Sequence, residues 1–280
     1  MTSEDSAIQA LQQREATGPV TVDSLVSDLT SLGVRPGMVL LVHTSLSALG
    51  WVCGGAQAVV LALEQALGHE GTLVMPAHSG GLSEPSYWRA PPVPESWFEV
   101  IRRTMPPFDA AMTPTRRMGV VAECFRTQPG TVRSSHPQSS FAARGPHASR
   151  VVDGHSLSYS MGEGSPLARV YELDGRVLLL GVSHANNTSL HLGEFRADPP
   201  GRRPVEQGAP VVADGVRRWI RFQDLDWDSD DFEELGRAFA QETGLEQQGA
   251  AGAGRALLMS QRAVVDFASR WISAHRATGR

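Results

Sequence analysis

The sequence predicts a mixed α/β fold in which a central, largely buried sheet is flanked by helices. Three observations lead there. Short all-apolar runs alternate along the chain with longer segments of helical periodicity. The helical segments carry their own start and stop residues. The composition, 41% hydrophobic and 20% charged over 280 residues, is ordinary for a globular chain and excludes a disordered segment, a collagen or a coiled coil.

In chain order, residues 21–32 read as an amphipathic helix that begins near Thr21 or Asp23 and is stopped by Gly33. A buried strand follows at 38–42 and runs into the polar segment 43–50. Residues 55–67 are helical and end at Gly68, and residues 72–76 form a second buried strand. The loop 78–94, rich in Gly, Ser and Pro, is too long for a simple connection and is expected to line something. Residues 118–126 read as helix and 140–143 as strand. Residues 165–173 read as a helix capped by Ser165, with Pro166 at its first position. Residues 176–181 give the clearest buried strand, leading through the polar turn 183–187 into a helix over about 188–197. Residues 211–222 read as a hairpin around Asp214-Gly215. An acidic stretch, a helix at 231–243, a loose Gly/Ala loop at 249–254 and a C-terminal helix at 261–275 complete the chain. No repeat or shift in composition divides it, so residues 1–280 are expected to form one domain.

The formal net charge is −5, and every Lys/Arg position is an arginine. A mildly acidic chain without a basic block is unsuited to nucleic acid, which needs clustered cations, and better suited to a cationic small molecule. No apolar run is long enough to span a bilayer, and residues 1–19 lack the order of a signal peptide, so no membrane partner and a cytoplasmic location are expected. Cys53 and Cys124 lie far apart and read as two buried thiols of a reducing compartment.

Three places can carry chemistry. At residues 43–50 a strand meets a helix start, where free N–H groups and the hydroxyls of Thr44, Ser45 and Ser47 can hold phosphates or a carbonyl oxygen; simple capping explains them equally well. No Walker-type loop or Gly-x-Gly-x-x-Gly run accompanies it. At residues 181–194 a buried strand ends in a polar turn and a helix begins, which is where open α/β sheets bind ligands. There His191 and Glu194 are three apart and share a helix face, as a base and its orienting carboxylate would, or as a surface ion pair would. Around 112–119 and 132–137, arginines beside hydroxyls can hold an anion or pair with the chain's own acids. His43, His78, His184 and His191 match no compact zinc spacing, and no metal is expected. The acidic run 224–231 reads as a solvated loop and helix start, or as a negative rim for a polycation.

Five blocks, taken together and in order, resemble the aminoglycoside N3-acetyltransferases. They are Val42-His43-Thr44-Ser45-Leu46-Ser47-Ala48-Leu49-Gly50 with Gly71-Thr72-Leu73-Val74-Met75-Pro76; Thr113-Pro114-Thr115-Arg116-Arg117-Met118-Gly119; Arg133-Ser134-Ser135-His136-Pro137; Gly162-Glu163-Gly164-Ser165-Pro166; and Leu178-Leu179-Leu180-Gly181-Val182 running into Asn187-Thr188-Ser189-Leu190-His191-Leu192-Gly193-Glu194.

The resemblance implies an antibiotic N-acetyltransferase-like fold, distinct from the GNAT fold. It implies transfer of acetyl from acetyl-CoA to the 3-amino group of the 2-deoxystreptamine ring, conferring aminoglycoside resistance. Carried over, His191 would be the general base and Glu194 its orienting partner or a contact to the cationic acceptor. His43, Thr44, Ser45, Leu46 and Ser47 would face acetyl-CoA, with Thr115, Arg116, Met118, Gly119 and Val120 nearby. Glu95, His136, Glu163 and Asp198 are expected on the acceptor side, where insertions near 78–110 and 200–255 would lie. Trp88 and Trp97 are expected as loop anchors or pocket walls. Attack would be direct within a ternary complex. Acetylation of another amine, or antibiotic binding without turnover, are the rival expectations, and monomer and homodimer both stay open.

Overall fold

The structure, a computed structural model, describes residues 18–197 and 202–276. The first helix, α1 (Val22–Leu32), starts at Thr21, whose side chain accepts from the Ser24 N–H in a reciprocal capping box, and stops at Gly33 with φ +116°. Strand β1 (Val39–Thr44) leads to a 3-10 turn at Leu46–Leu49, and α2 (Gly55–Leu67) packs on α1. Strand β2 (Thr72–Pro76) enters the long loop; after it come a short helix α3 (Phe98–Thr104), α4 (Gly119–Thr127), β3 (Val132–Arg133), β4 (Phe141–Arg144) and α5 (Ala148–Val152). Next are α6 (Pro166–Glu172), β5 (Arg176–Leu180), a 3-10 turn at His184–Asn186, and α7 (Ser189–Arg196). The hairpin β6 (Pro204–Ala213) and β7 (Val216–Leu225), helix α8 (Phe232–Thr243), strands β8 (Glu246–Ala251) and β9 (Gly254–Ser260), and α9 (Gln261–His275) complete the described chain.

Seven strands form one sheet in the order β3-β4-β2-β1-β5-β9-β8. The central trio β2-β1-β5 is parallel, and the flanking pairs are antiparallel. Parallel strands must be covered on both faces, and their runs are accordingly buried throughout. On one face Leu40, Val42, Leu73 and Leu178 pack against α1, α2 and α4 through Leu25, Leu63 and Phe125. On the other, Val39 and Leu41 meet Leu167 and Leu192 of α6 and α7, while Val177 and Leu179 meet α8 and α9. Gly193 is where α7 and α9 come closest: a Cβ there would stand 2.6 Å from the Ala268 Cβ.

The hairpin is longer than the expected 211–222, because the Val-rich register continues outward from Asp214-Gly215, both at positive φ. The expected loop at 249–254 is a correction: it is the β8–β9 hairpin, and β9 pairs with β5 inside the main sheet. The Gly and Ala residues of 249–254, poor strand formers, hid this hairpin, although Ala256 and Leu258 of β9 are buried in the core. A second correction concerns the thiols. Cys53 lies exposed in the turn before α2, and Cys124 is only half-buried on α4. No helix among the described residues is long and apolar enough to cross a membrane.

Candidate active site

The carboxyl ends of β1, β2 and β5 open on one edge of the sheet, and the parallel pairing β1–β5 brings Thr44 opposite Leu180, with the Ser45 N–H donating to the Leu180 carbonyl at 3.0 Å. Alternation along β1 puts His43 on the face of Val39 and Leu41, the face that α7 covers. There His43 Nε2 and Thr188 Oγ1 hydrogen-bond at 3.2 Å. Gly181 turns the chain immediately after β5 at φ +72°; a Cβ would meet Ala48 Cβ at 2.8 Å, so only glycine lets the two strand ends approach.

Helix α7 carries the pair. His191 Nδ1 donates to Glu194 Oε2 at 2.8 Å, and both residues are buried, at 5% exposure each. The other carboxylate oxygen, Oε1, accepts from the Asp228 N–H at 2.9 Å and from Arg276 Nη1 at 2.5 Å. The anion is therefore fixed from both ends, and the imidazole is held as the Nδ1–H tautomer. Its Nε2 has no hydrogen-bond partner among the described residues. The ring packs edge-on against Trp227 at 4.5 Å and against Phe232 at 4.7 Å.

Two cavities flank this helix start. The first, of about 850 Å³, is lined by residues 43–47, by Trp51 and Gly55, by residues 117–120, and by Gly181, Asn186 and Thr188. The second, of about 800 Å³, is lined by His78, Tyr87, Trp88 and Arg89 from the long loop, by Arg116, Arg117 and Met118, by Val205 and Gln207 of β6, and by residues 224–227. Arg117 and Met118 belong to both walls. His191 lines neither; it lies between them, with Thr188 on the first cavity and Trp227 on the second.

Of the residues expected beside acetyl-CoA, His43, Thr44, Ser45, Leu46, Ser47, Met118, Gly119 and Val120 share the first cavity. Arg116 faces the second instead, and Thr115 faces neither: its N–H and hydroxyl both donate to Glu123, at 3.0 and 2.7 Å. Burial works against the Glu123 charge, but Arg126 and Thr115 outweigh it and hold the carboxyl at about 2.

On the acceptor side the expected set largely disperses. His136 is fully buried; its Nδ1 accepts from the N–H groups of Gln138 and Ser139 and its Nε2 donates to the Leu157 carbonyl, which makes it a scaffold residue. Burial pulls it down to about 4, so it stays neutral. Glu163 is tied to Arg196 at 2.7 Å on the surface, and Glu95 lies exposed on the Glu95–Trp97 turn; neither lines a cavity. Asp198 lies outside the described residues. Trp88 is a wall of the second cavity, its Nε1 donating to Ser83 Oγ, whereas Trp97 is exposed and anchors nothing in the core.

The acidic run departs from expectation at its two ends. Asp226, Asp228 and Asp230 are exposed in a loop that leads into α8, as expected, but Asp224 is buried, accepting from Ser160 Oγ at 2.7 Å and from the Leu225 N–H at 2.8 Å, and Asp231 binds Arg276. Desolvation raises the Asp224 carboxyl above the usual range despite those hydrogen bonds. Sequence reasoning also missed His78, Arg117, Trp227 and Arg276 as site residues. Arg117 had a readable signal, since it stands in the same arginine-bearing block as Met118; the others reach the site only through tertiary packing. His43 and His78 are both lowered to about 3, by burial first and then by the neighbouring imidazoles. Among the described residues no three His, Cys, Asp or Glu side chains gather as a metal site.

The comparisons with known proteins agree on one relationship. The family profile for aminoglycoside 3-N-acetyltransferases matches residues 41–273. The chain is 42% identical over 256 residues to the SPbeta prophage-derived aminoglycoside N(3')-acetyltransferase-like protein YokD of Bacillus subtilis, covering 91% of this chain and 93% of that one. The YokD crystal structure superposes with a TM-score of 0.91 over 94% of this chain and 97% of that chain. Aminoglycoside N(3)-acetyltransferase VIII of Streptomyces fradiae is 44% identical over 75% of this chain and 73% of its own. A solved structure described as AAC-IIIb binary with CoASH matches with a TM-score of 0.82 at 31% identity, over 94% of this chain and all of that one.

Proposed function

The chain belongs to the aminoglycoside 3-N-acetyltransferase family, and on that footing we propose that it transfers acetyl from acetyl-CoA to the 3-amino group of an aminoglycoside's 2-deoxystreptamine ring, conferring resistance. The observation that carries this reading is the His191–Glu194 pair set between two cavities that share Arg117 and Met118. The first cavity is the place for acetyl-CoA and the second for the amine.

The chemistry follows from the geometry. An ammonium has no lone pair with which to attack a thioester, so the acceptor first loses one proton to solvent and reacts as the free amine, which sheds a second proton as it attacks. With Nδ1 donating to Glu194, the His191 lone pair is on Nε2, the nitrogen without a partner. The amine nitrogen bonds to the thioester carbonyl carbon, its proton passes to Nε2, and the carbon–sulfur bond breaks. The proton then serves the leaving thiolate, giving CoASH. Glu194 steadies the transient imidazolium. Thr44 Oγ1, a buried hydroxyl without a partner on the first cavity, and the first N–H groups of the Leu46–Leu49 turn supply donors for the oxyanion. His43 and His78, both held neutral, do not compete for the proton.

We read the chain as one domain whose segments near 78–110 and 200–255 form the acceptor side, which is supported by the share of both segments in the second cavity. The net charge of −5, with no basic block, supports a cationic small-molecule acceptor over nucleic acid. The test is CoA release across a panel of aminoglycosides, with the acetylated nitrogen mapped by NMR. Acetylation at the 3-amino group supports the reading; binding without CoA release overturns it.

One observation favours a second reading, acetylation of a different amine. The second cavity carries Arg89, Arg116 and Arg117, none paired with a carboxylate among the described residues, beside Asp224 and Asp226. Amines that also bear an anionic group belong in the same panel, and a preference for them selects this alternative.

A further inference from the structure

The carboxylate that orients His191 is itself held by a residue from the far end of the described chain. Arg276, just past α9, donates from Nη1 to Glu194 Oε1 at 2.5 Å, from Nε and Nη2 to the two oxygens of Asp231 at 2.8 and 2.6 Å, and from Nη2 to the Asp228 carbonyl at 2.9 Å. The side chains of Glu194, Asp231 and Arg276 are 7%, 10% and 20% exposed, so little water screens these contacts. The same guanidinium thus joins the acid of the pair to residues 228–231. That segment directly follows Asp226 and Trp227, which wall the acceptor cavity, and Trp227 packs on the His191 ring.

We propose that Arg276 is a positioning residue for acetyl transfer, fixing Glu194 as the orienting anion and, through residues 228–231, setting the acceptor wall against His191. This rests on the acetyl-transfer reading above. The charge relations around His191 define what removal of Arg276 does. Glu194 faces the ring from its own helix, Asp224 from β7, His43 from β1 and His78 from the loop after β2; Trp227 and Phe232 supply neutral contacts. The two imidazoles are uncharged; Glu194 and Asp224 face the ring, and the cation opposing them is Arg276, which Asp231 also binds. Partial burial works against the Arg276 charge, but Asp231 and Glu194 outweigh it and raise the group above its usual range, so it is a cation at every working pH. Without it, the negative field at His191 is unopposed and the imidazolium is favoured.

The experiment compares Arg276→Gln, Arg276→Lys and wild type by pH-dependent kinetics and by the NMR titration of the His191 ring. In Arg276→Gln the acid limb of kcat/KM and the ring titration both move to higher pH by about half a unit or more. Turnover falls about tenfold and the acceptor KM rises several-fold, as expected when a reacting group loses its fixed orientation. The acetyl-CoA KM stays unchanged, because Arg276 touches no residue of the first cavity. Arg276→Lys restores the titration. An Arg276→Gln protein that melts like wild type and keeps both its titration and its acceptor KM overturns the proposal. Asp231→Asn gives an independent test that keeps the Glu194 contact: the acceptor KM rises while the His191 titration stays in place, and an unchanged KM overturns the link to the acceptor wall. The ring titration needs no substrate, so failure of this proposal and absence of acetyl transfer are told apart.

Discussion

Two buried histidine–glutamate pairs stand seven residues apart in the sequence, and they do opposite things. His191 donates from Nδ1 to Glu194 and leaves Nε2 unengaged between two cavities. His184 uses Nε2 for Glu246, at 2.6 Å, and turns Nδ1 toward Asn187. Gly236 of α8 closes over the His184 ring so tightly that a Cβ there would stand 2.1 Å from Cγ. His184 has no nitrogen to offer a substrate; it fastens the turn after β5 to the edge strand β8. Residue type, burial and a carboxylate partner are common to both pairs. On the proposed reading, what separates a base from a staple is which nitrogen the carboxylate takes and whether the other one is left without a partner among the described residues.

The contrast can be broken by experiment. His191→Asn should lower turnover at least about a hundredfold, the usual share of a general base, with acetyl-CoA binding measured by calorimetry left intact. His184→Asn should leave turnover within a few-fold per folded molecule. Equal losses in the two variants would dissolve the distinction. Glu194→Gln removes the orienting charge but keeps the shape, and steady-state kinetics should show a loss of about ten- to a hundredfold, smaller than that of His191→Asn.

Stability should rank the pairs the other way round. Glu246→Gln weakens a buried hydrogen bond to His184 and should cost about 1 to 3 kcal/mol, read as a lowered urea midpoint. A midpoint equal to wild type would show that the pair fastens nothing.

A finer effect concerns the scaffold imidazoles His136 and His155, lowered to about 4 and about 3 chiefly by burial. Their folded values lie below the unfolded value of about 6.5, so the unfolded chain binds more protons between those limits. Stability is then complete above about pH 6.5 and is lost as pH falls toward 4 and 3. Melting temperature should drop steadily from pH 7 to pH 4, and His155→Gln should flatten that slope; an unchanged slope would remove His155 from the account. The smallest effect is on salt. With carboxylates and arginines both on the acceptor cavity, kcat/KM for a polycation should fall only mildly with ionic strength.

Much of this was readable without coordinates. The strands at β1, β2 and β5 and the helices α2 and α9 announce themselves by apolar runs and glycine stops, and α7 by its three-residue His–Glu spacing. The segment we propose for acetyl-CoA was legible as one cavity wall for the same reason: residues 43–47 are contiguous, and one strand end positions all of them. The acceptor side was not. The second cavity is assembled from a long loop, residues 116–118 and 138–139, a hairpin and the two residues after it, and no local pattern says which of their polar residues will face inward. His136 and Glu163 sit in recognisable blocks, yet one serves the backbone of its own loop and the other pairs with Arg196. Asp224 and Asp231 look like solvent-facing acids in the sequence because their partners, Ser160 and Arg276, are 64 and 45 residues away.

The short segment Arg117-Met118 is a partition with a face in each cavity. It begins at Arg117 with φ +62° and is followed by Gly119 at φ +83°, a backbone held in conformations that few residues adopt freely. Any shift of this wall to admit one ligand reshapes the room of the other. Thermodynamic reciprocity then fixes the outcome: whatever factor acetyl-CoA imposes on the affinity for the amine, the amine must impose on acetyl-CoA. On this reading the two ligands share one coupling energy, set by a single turn of main chain.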